Sequence, residues 1–298
     1  MKRREFLAAL SLGTAHVLLG SPKIKKGLPS IDPYQTVKLG KSGIETSLLG
    51  FGTGVSGFNR ESFLTRQDAA TSVDLLRHAY DEGVRFFDTA DVYGTHSLMG
   101  EALKSMDRSK VTLASKIWFR KGGIPEPERY DADIIVDRFR KELGTDYIDL
   151  VQLHCAVNPE WPKQLEAQME ILDDLKSKGV IRAHGVSVHS LDAMKAAVNC
   201  PWVDVIHVRI NPYGIAMDKP DPQEVVDVIR QLHESGKGVI GMKLVGNGKY
   251  QTDSKRIDNA LKFVMGLGCV DMMIVGFERK AQVNNYAQRI TQNLNVMA

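Results

Sequence analysis

From about residue 36 onward the chain alternates between two hydrophobic rhythms. Short runs of apolar and β-favouring residues give way to longer segments whose apolar positions recur every third or fourth residue, the pattern of a parallel sheet built from βα units. The short runs are Thr46–Gly50, Val84–Thr89, Val111–Lys116, Ile148–His154, His184–Val188, Val205–Ile210, Gly238–Lys243 and Met272–Phe277, eight candidate strands. Helical rhythm fills Gln67–Glu82, Ser97–Ser105, Asp133–Leu143, Pro162–Lys178, Leu191–Val198, Gln223–Glu234, Ser254–Gly266 and Ala281–Gln292. Gly83, Gly144, Gly179 and Gly236 stand where those helices should stop. Eight βα units in about 260 residues predict an α/β fold, a closed (β/α)8 TIM barrel forming one domain over residues 34–298. An open doubly wound sheet would want Gly-x-Gly-x-x-Gly after its first strand, and Gly50-Phe51-Gly52-Thr53-Gly54 only approaches that pattern.

The first 33 residues depart from the rhythm. Lys2-Arg3-Arg4 precedes a mostly apolar run from Phe6 to Gly20, too short to span a membrane and laid out as a signal segment, with a Pro-, Lys- and Gly-rich linker from Ser21 to Pro33. Arg3-Arg4-Glu5-Phe6-Leu7 resembles the twin-arginine export signal of bacteria. That resemblance implies a partnership with the export machinery and a folded passenger bound for the periplasm, with the leader cleaved or kept as a membrane tether.

Composition narrows the classes. With 43% hydrophobic and 25% charged residues among 298, a large core is within reach. The formal charge of +3 is small, much of its excess sits near the start, and no basic stripe suits nucleic acid. Cys155, Cys200 and Cys269 form no Cys-x-x-Cys pair, so neither a disulfide framework nor a thiolate metal site is expected.

In a barrel the carboxyl ends of all strands share one mouth. Those ends carry Asp88, with Tyr93 in the loop beyond it, then Lys116 and His154. A lysine or histidine buried there needs a partner or water. Together the four suit proton donation to a carbonyl. Lys116 is expected to lower the Tyr93 pKa, Asp88 to hold Lys116 charged, and His154 to orient the substrate oxygen. Trp118, Phe119 and Tyr130 in the next loop are candidates for shaping the substrate pocket, as is the stretch from Pro212 to Pro222. His184, His189 and His207 form no metal set with carboxylates.

Phe86-Phe87-Asp88-Thr89-Ala90-Asp91-Val92-Tyr93-Gly94, Ala114-Ser115-Lys116 and Leu153-His154 resemble the signature of the aldo-keto reductases. The resemblance covers essentially the whole chain after the leader. It implies a (β/α)8 barrel that binds a nicotinamide cofactor without a Rossmann domain, with Asp88, Tyr93, Lys116 and His154 as the catalytic tetrad. It also implies cofactor contacts from Gly52 and Thr53 after the first strand, and from Ser187, His207, Asn211 and Lys243 at later strand ends. Gly276, Glu278, Arg279 and Gln282 fall in what looks like an adenosine-phosphate loop at a helix start. The family pattern is broken at Val188, where an asparagine is usual, and at Ile210, where a ring-stacking aromatic is common. Glu278 would repel a 2′-phosphate while Arg279 and Lys280 would attract one, leaving NADP and NAD both open.

The leading expectation is an NAD(P)H-dependent reductase of an aldehyde, ketone or sugar-like carbonyl, with Tyr93 as acid. Two alternatives stand beside it. One is an exported barrel whose tightly held dinucleotide acts redox-neutrally on a sugar-like substrate. The other is a cofactor-sensing or binding subunit without catalysis.

Overall fold

The structure, a computed structural model, describes residues 31–293. The twin-arginine-like stretch, within residues 1–30, lies outside the described residues. Eight parallel strands close into a barrel: β1 Leu49–Gly52, β2 Phe86–Asp88, β3 Thr112–Ile117, β4 Ile148–Ala156, β5 Ile181–Val188, β6 Val205–Arg209, β7 Gly238–Met242 and β8 Met272–Gly276. They pair in sequence order, and β8 returns to β1 through Met273↔Leu49 to Gly276↔Gly52. Helices wrap the outside: α1 Ala69–Glu82, α2 His96–Leu103, α3 Ala132–Leu143, α4 Glu166–Ser177, α5 Leu191–Val198, α6 Pro222–Glu234, α7 Ser254–Gly266 and α8 Lys280–Asn293. Among the described residues, no helix is long and apolar enough to cross a membrane.

Strand periodicity sorts the side chains. Leu113, Val151, Val186 and Ile206 join the large cluster between sheet and helices, while Ala114, Leu150, Ala183 and Val205 fill the lumen with Phe86, Ile240, Met272 and Ile274. The eight-strand expectation holds, with two local corrections. The first run, expected at Thr46–Gly50, is divided: Glu45–Ser47 pairs antiparallel with Thr36–Lys38 in a hairpin, and only Leu49–Gly52 enters the barrel. Ser47 marks the break by donating to Leu49 O at 2.7 Å and accepting from Arg85 N at 2.8 Å. Leu39 and Ile44 from this hairpin join the lumen cluster and plug the amino-terminal end. The helix expected over Pro162–Lys178 is likewise two pieces, Trp161–Gln164 and α4, which meet at Leu165 (φ −113°, ψ 18°) outside helical geometry. At the end of α3, Gly144 takes φ 63°, a left-handed cap that a side chain would strain.

Candidate active site

The deepest part of the mouth is an ion pair. Register places Asp88 opposite Ala114, so the next inward residue on β3, Lys116, stands just above it. The Lys116 ammonium donates to Asp88 Oδ1 and to Thr89 O, the latter at 3.1 Å. His207 on β6 completes the cluster with Nε2 3.3 Å from Asp88 Oδ1. Lys116 and Asp88 are 1% and 2% exposed, so each charge depends on the other. Burial works to raise the Asp88 pKa, but Lys116 and His207 outweigh it and hold the carboxyl below its ordinary range. Burial lowers the Lys116 pKa, and Asp88 opposes that shift.

Tyr93 is carried by a single 3-10 turn, Asp91–Tyr93, directly after β2. The turn is clamped at Asp91, which is buried and receives Arg60 Nε at 2.9 Å from one side and an Arg138 nitrogen at 2.9 Å from the other. Gly94 ends it at φ 66°, where a Cβ would lie 1.9 Å from Arg60 O, so only glycine fits. Gly54 and Gly57 give the phenol its seat, since a Cβ at either would overlap the Tyr93 ring at 2.4 to 2.5 Å. Lys116 Nζ lies 5.3 Å from the Tyr93 ring centroid, and His154 meets the ring edge-on at 5.6 Å. Trp118 also meets the His154 ring edge-on, with centroids 5.2 Å apart.

The four expected catalytic residues therefore converge, but one electrostatic expectation is corrected. The Tyr93 pKa is raised well above 10, first by burial and then by Asp88 and the Cys155 thiol. Lys116 does not pull it down, because its charge is matched by Asp88 at contact distance. Tyr93 is thus a protonated donor at neutral pH. His154 is held neutral, its pKa driven well below 6.5 by burial and then by the nearby Lys116, and its Nδ1 has no hydrogen-bond partner.

Beside Tyr93 opens a cleft of about 450 Å3 running along the ends of β1, β7 and β8 to the start of α8. Gly52, Lys243, Gly276, Glu278 and Gln282, the residues expected to touch a cofactor there, line it, and Asp88 and Tyr93 form its inner end. Gly276 is bare for a reason: a Cβ there would strike Val55 at 2.3 Å. The remaining implied contacts are placed elsewhere. The Thr53 hydroxyl donates to Asp88 O at 2.9 Å and shares a hydrogen bond with Thr95, tying β1 to β2 outside the cleft lining. Asn211 donates Nδ2 to Ile215 O at 2.8 Å and Lys243 O at 3.2 Å, so its amide holds two loops together. His207 lies beneath the cleft with Asp88, and Ile210 is buried in the outer core. Arg279 is exposed and outside the lining, while Lys280 reaches away to Asp74 at 2.6 Å. Ser187 faces the lumen beside His207 in register, with a buried hydroxyl that has no partner.

Sequence reasoning missed the loop after β7. Leu244, Val245, Asn247, Gly248, Lys249 and Gln251 all line the cleft, and Lys243, Gly246, Asn247 and Gly248 take φ of 62°, 58°, 56° and 85°. The amides of Gly246, Gly248, Lys249 and Gln251 donate within this loop, at 2.9 to 3.2 Å, and hold it in shape along the cleft. Val245-Gly246-Asn247-Gly248-Lys249 was the available signal. An elongated cleft with glycine walls, cations at Lys243 and Lys249, and an orphan Ser187 hydroxyl near its inner end fits a dinucleotide. Among the described residues, no group of His, Cys, Asp or Glu is arranged to hold a metal.

Comparison with known proteins agrees. Residues 48–296 match the model of the Aldo/keto reductase family. The protein named Probable aldo-keto reductase 1 of Glycine max is 28% identical over 270 residues, covering 88% of this chain and 70% of that one. Aldo-keto reductase YhdN of Bacillus subtilis is 34% identical over 51% of this chain and 46% of its own. The NADH-specific methylglyoxal reductase of Escherichia coli is 26% identical over 61% of this chain and 60% of its own. In fold, the holo form of aldo-keto reductase AKR11C1 from Bacillus halodurans superposes with a TM-score of 0.69 at 22% identity, covering 86% of this chain and 91% of that one. The thermostable aldo-keto reductase Tm1743 gives 0.65 at 23%, covering 86% and 93%. The chain belongs to the aldo/keto reductase family, NAD(P)-dependent oxidoreductases that reduce carbonyl compounds.

Proposed function

We propose that the protein is an NADH-preferring reductase of a small aldehyde or ketone, with Tyr93 as the proton donor. The observation that carries this reading is the buried Lys116–Asp88 pair beneath Tyr93, at the inner end of a cleft shaped for a dinucleotide. When bound there, a reduced nicotinamide supplies hydride to the carbonyl carbon. Tyr93 and His154, rings 5.6 Å apart, flank the space for the carbonyl oxygen, one as a phenol and the other as a neutral imidazole. A neutral imidazole offers an N–H without placing a competing fixed charge in the pocket. As charge grows on the oxygen, Tyr93 releases its proton toward it, and the Lys116 ammonium offsets the Asp88 charge that would otherwise oppose the resulting phenolate. Asp88 keeps that ammonium charged in a site where burial favours the neutral amine.

Preference for NADH is supported at the start of α8. The amides of Glu278 and Arg279 both donate to Gln282 Oε1, at 2.7 and 3.1 Å, so they are already occupied. Glu278 lines the cleft with a carboxylate, which suits ribose hydroxyls and repels a 2′-phosphate. The Escherichia coli relative is named NADH-specific, in keeping with this reading. Steady-state rates with the two coenzymes test it. NADH should be favoured by about tenfold or more in kcat/KM, and Glu278→Ser should narrow the gap. Equal use of NADPH by the native enzyme would defeat the assignment.

Tyr93→Phe tests the acid. Turnover should fall at least about a thousandfold while NADH still binds, and a near-native rate would remove Tyr93 from the role. We also propose export to the periplasm, on the layout of residues 1–33. Replacing Arg3→Lys and Arg4→Lys together should retain the protein in the cytoplasm. Undiminished periplasmic protein would refute that route.

A further inference from the structure

The substrate side of the mouth is richer in positive charge than carbonyl reduction requires. The loop from Trp118 to Asp131 is folded around Arg129, whose guanidinium donates to Arg120 O through Nε at 3.0 Å and through a terminal nitrogen at 2.7 Å. A third bond runs to Gly122 O at 2.8 Å. This fixes the backbone of Arg120, whose own side chain reaches the carboxyl end of β4. That guanidinium lies 5.7 Å from the Trp118 ring and donates to Cys155 Sγ at 3.0 Å, the residue next to His154. Cys155 sits on an irregularity of β4 at φ 62°, and its thiol is buried.

A thiol is a weak acceptor, and a guanidinium resting on one has most of its hydrogen-bonding capacity unspent. Three carboxylates near the mouth are already paired with other cations. Asp88 is engaged by Lys116, Asp218 by Arg209, and Glu126 by Arg60 at 2.5 Å. Lys243 has only the neutral Asn247 side chain, at 2.9 Å, and faces the dinucleotide cleft, where a pyrophosphate would neutralise it. Among the described residues Arg120 makes no ion pair, and its side-chain partner is the Cys155 thiol. The local field is felt at His189, whose pKa is brought down to about 3, first by burial and then by Arg209, Lys243, Arg120 and Lys116.

We propose that the carbonyl substrate bears a carboxylate, and that Arg120 is the specificity-determining residue that binds it by exchanging the Cys155 thiol for a charge-assisted fork. The proposal rests on the reductase reading above and names its substrate class as short oxo acids. A planar carboxylate matches the guanidinium fork, and the short path from Arg120 through Trp118 and His154 to Tyr93 confines the carbonyl and the carboxylate to one small molecule.

Kinetics with 4-oxobutanoate and with butanal, in which a methyl replaces the carboxylate, test this with whichever coenzyme supports the higher rate. The native enzyme should favour the oxo acid by about ten- to a hundredfold in kcat/KM. Arg120→Met should collapse that ratio mainly through the KM of the oxo acid, and Arg120→Lys should restore part of it. A native enzyme that treats both aldehydes alike, or an Arg120→Met variant that slows both by the same factor, overturns the proposal while leaving the reductase reading intact. Failure to reduce either aldehyde, or any other member of a carbonyl panel, overturns both.

Discussion

Below Asp88 the barrel lumen is packed with Phe86, Ala114, Leu150, Ala183, Val205 and Ile240, and the hairpin residues Leu39 and Ile44 close it. Above that level the same strands turn inward Asp88, Lys116, His154, Ser187 and His207, also almost wholly buried. The lower layer is apolar, so every neighbour is a good one. In the upper layer the Ser187 hydroxyl, His154 Nδ1 and His207 Nδ1 have no hydrogen-bond partner. Unmet polar groups and a buried ion pair cost stability, so the upper layer is understandable only as a surface prepared for a ligand, resting on a lower layer that supplies cohesion.

Lys116→Met bears hardest on this contrast. Turnover should drop by at least about a thousandfold, and stability should fall by about 3–5 kcal/mol because Asp88 is left buried without its cation. A variant with near-native rate and melting temperature would erase the distinction between the layers. Ile44→Ala probes the other side. It should cost about 2–5 kcal/mol in denaturant unfolding while kcat stays close to native, since the side chain lies at the opposite end of the lumen from Tyr93. A comparable loss of kcat would mean that the plug and the mouth are coupled.

The upper layer should also show itself in pH dependence. His154 and His189 have folded pKa values below the 6.5 expected of the unfolded chain, His189 at about 3. Between those values the unfolded state binds more protons, so stability present above pH 6.5 is lost as pH falls toward 3. Melting temperature should decline through that window, and His189→Gln should flatten the decline. An unaltered profile would show that His189 titrates normally. The smallest effect is expected at Ser187→Ala. Removing an unpartnered hydroxyl should raise the stability of the ligand-free protein by up to about 1 kcal/mol and weaken NADH binding, both read by thermal shift with and without NADH. Destabilisation of the ligand-free protein would mean that the hydroxyl is satisfied after all.

Asp88, Lys116 and His154 were legible because strand alternation carries chemistry with it. Phe86 and Asp88, and Ala114 and Lys116, are inward pairs two residues apart with the polar member at the carboxyl end, and Leu150, Gln152 and His154 turn from apolar to polar in the same direction. What escaped notice depended on contacts between residues distant in sequence. The Asn211 amide joins two loops through Ile215 and Lys243, and Lys116 looked able to acidify Tyr93 until Asp88 was seen to neutralise it. The hairpin was hidden because its strands are three residues each, too short to show a period, and one of them runs into β1.

Closure of the ring by β8 against β1 has a bearing on how the chain is made. The first strand leaves the ribosome long before the last, and until residues 272–276 emerge, any partial sheet has two naked edges open to pairing with another molecule. A nascent or carboxyl-terminally clipped chain is therefore the form most prone to aggregate, and chaperones have most to guard during the final stretch of synthesis.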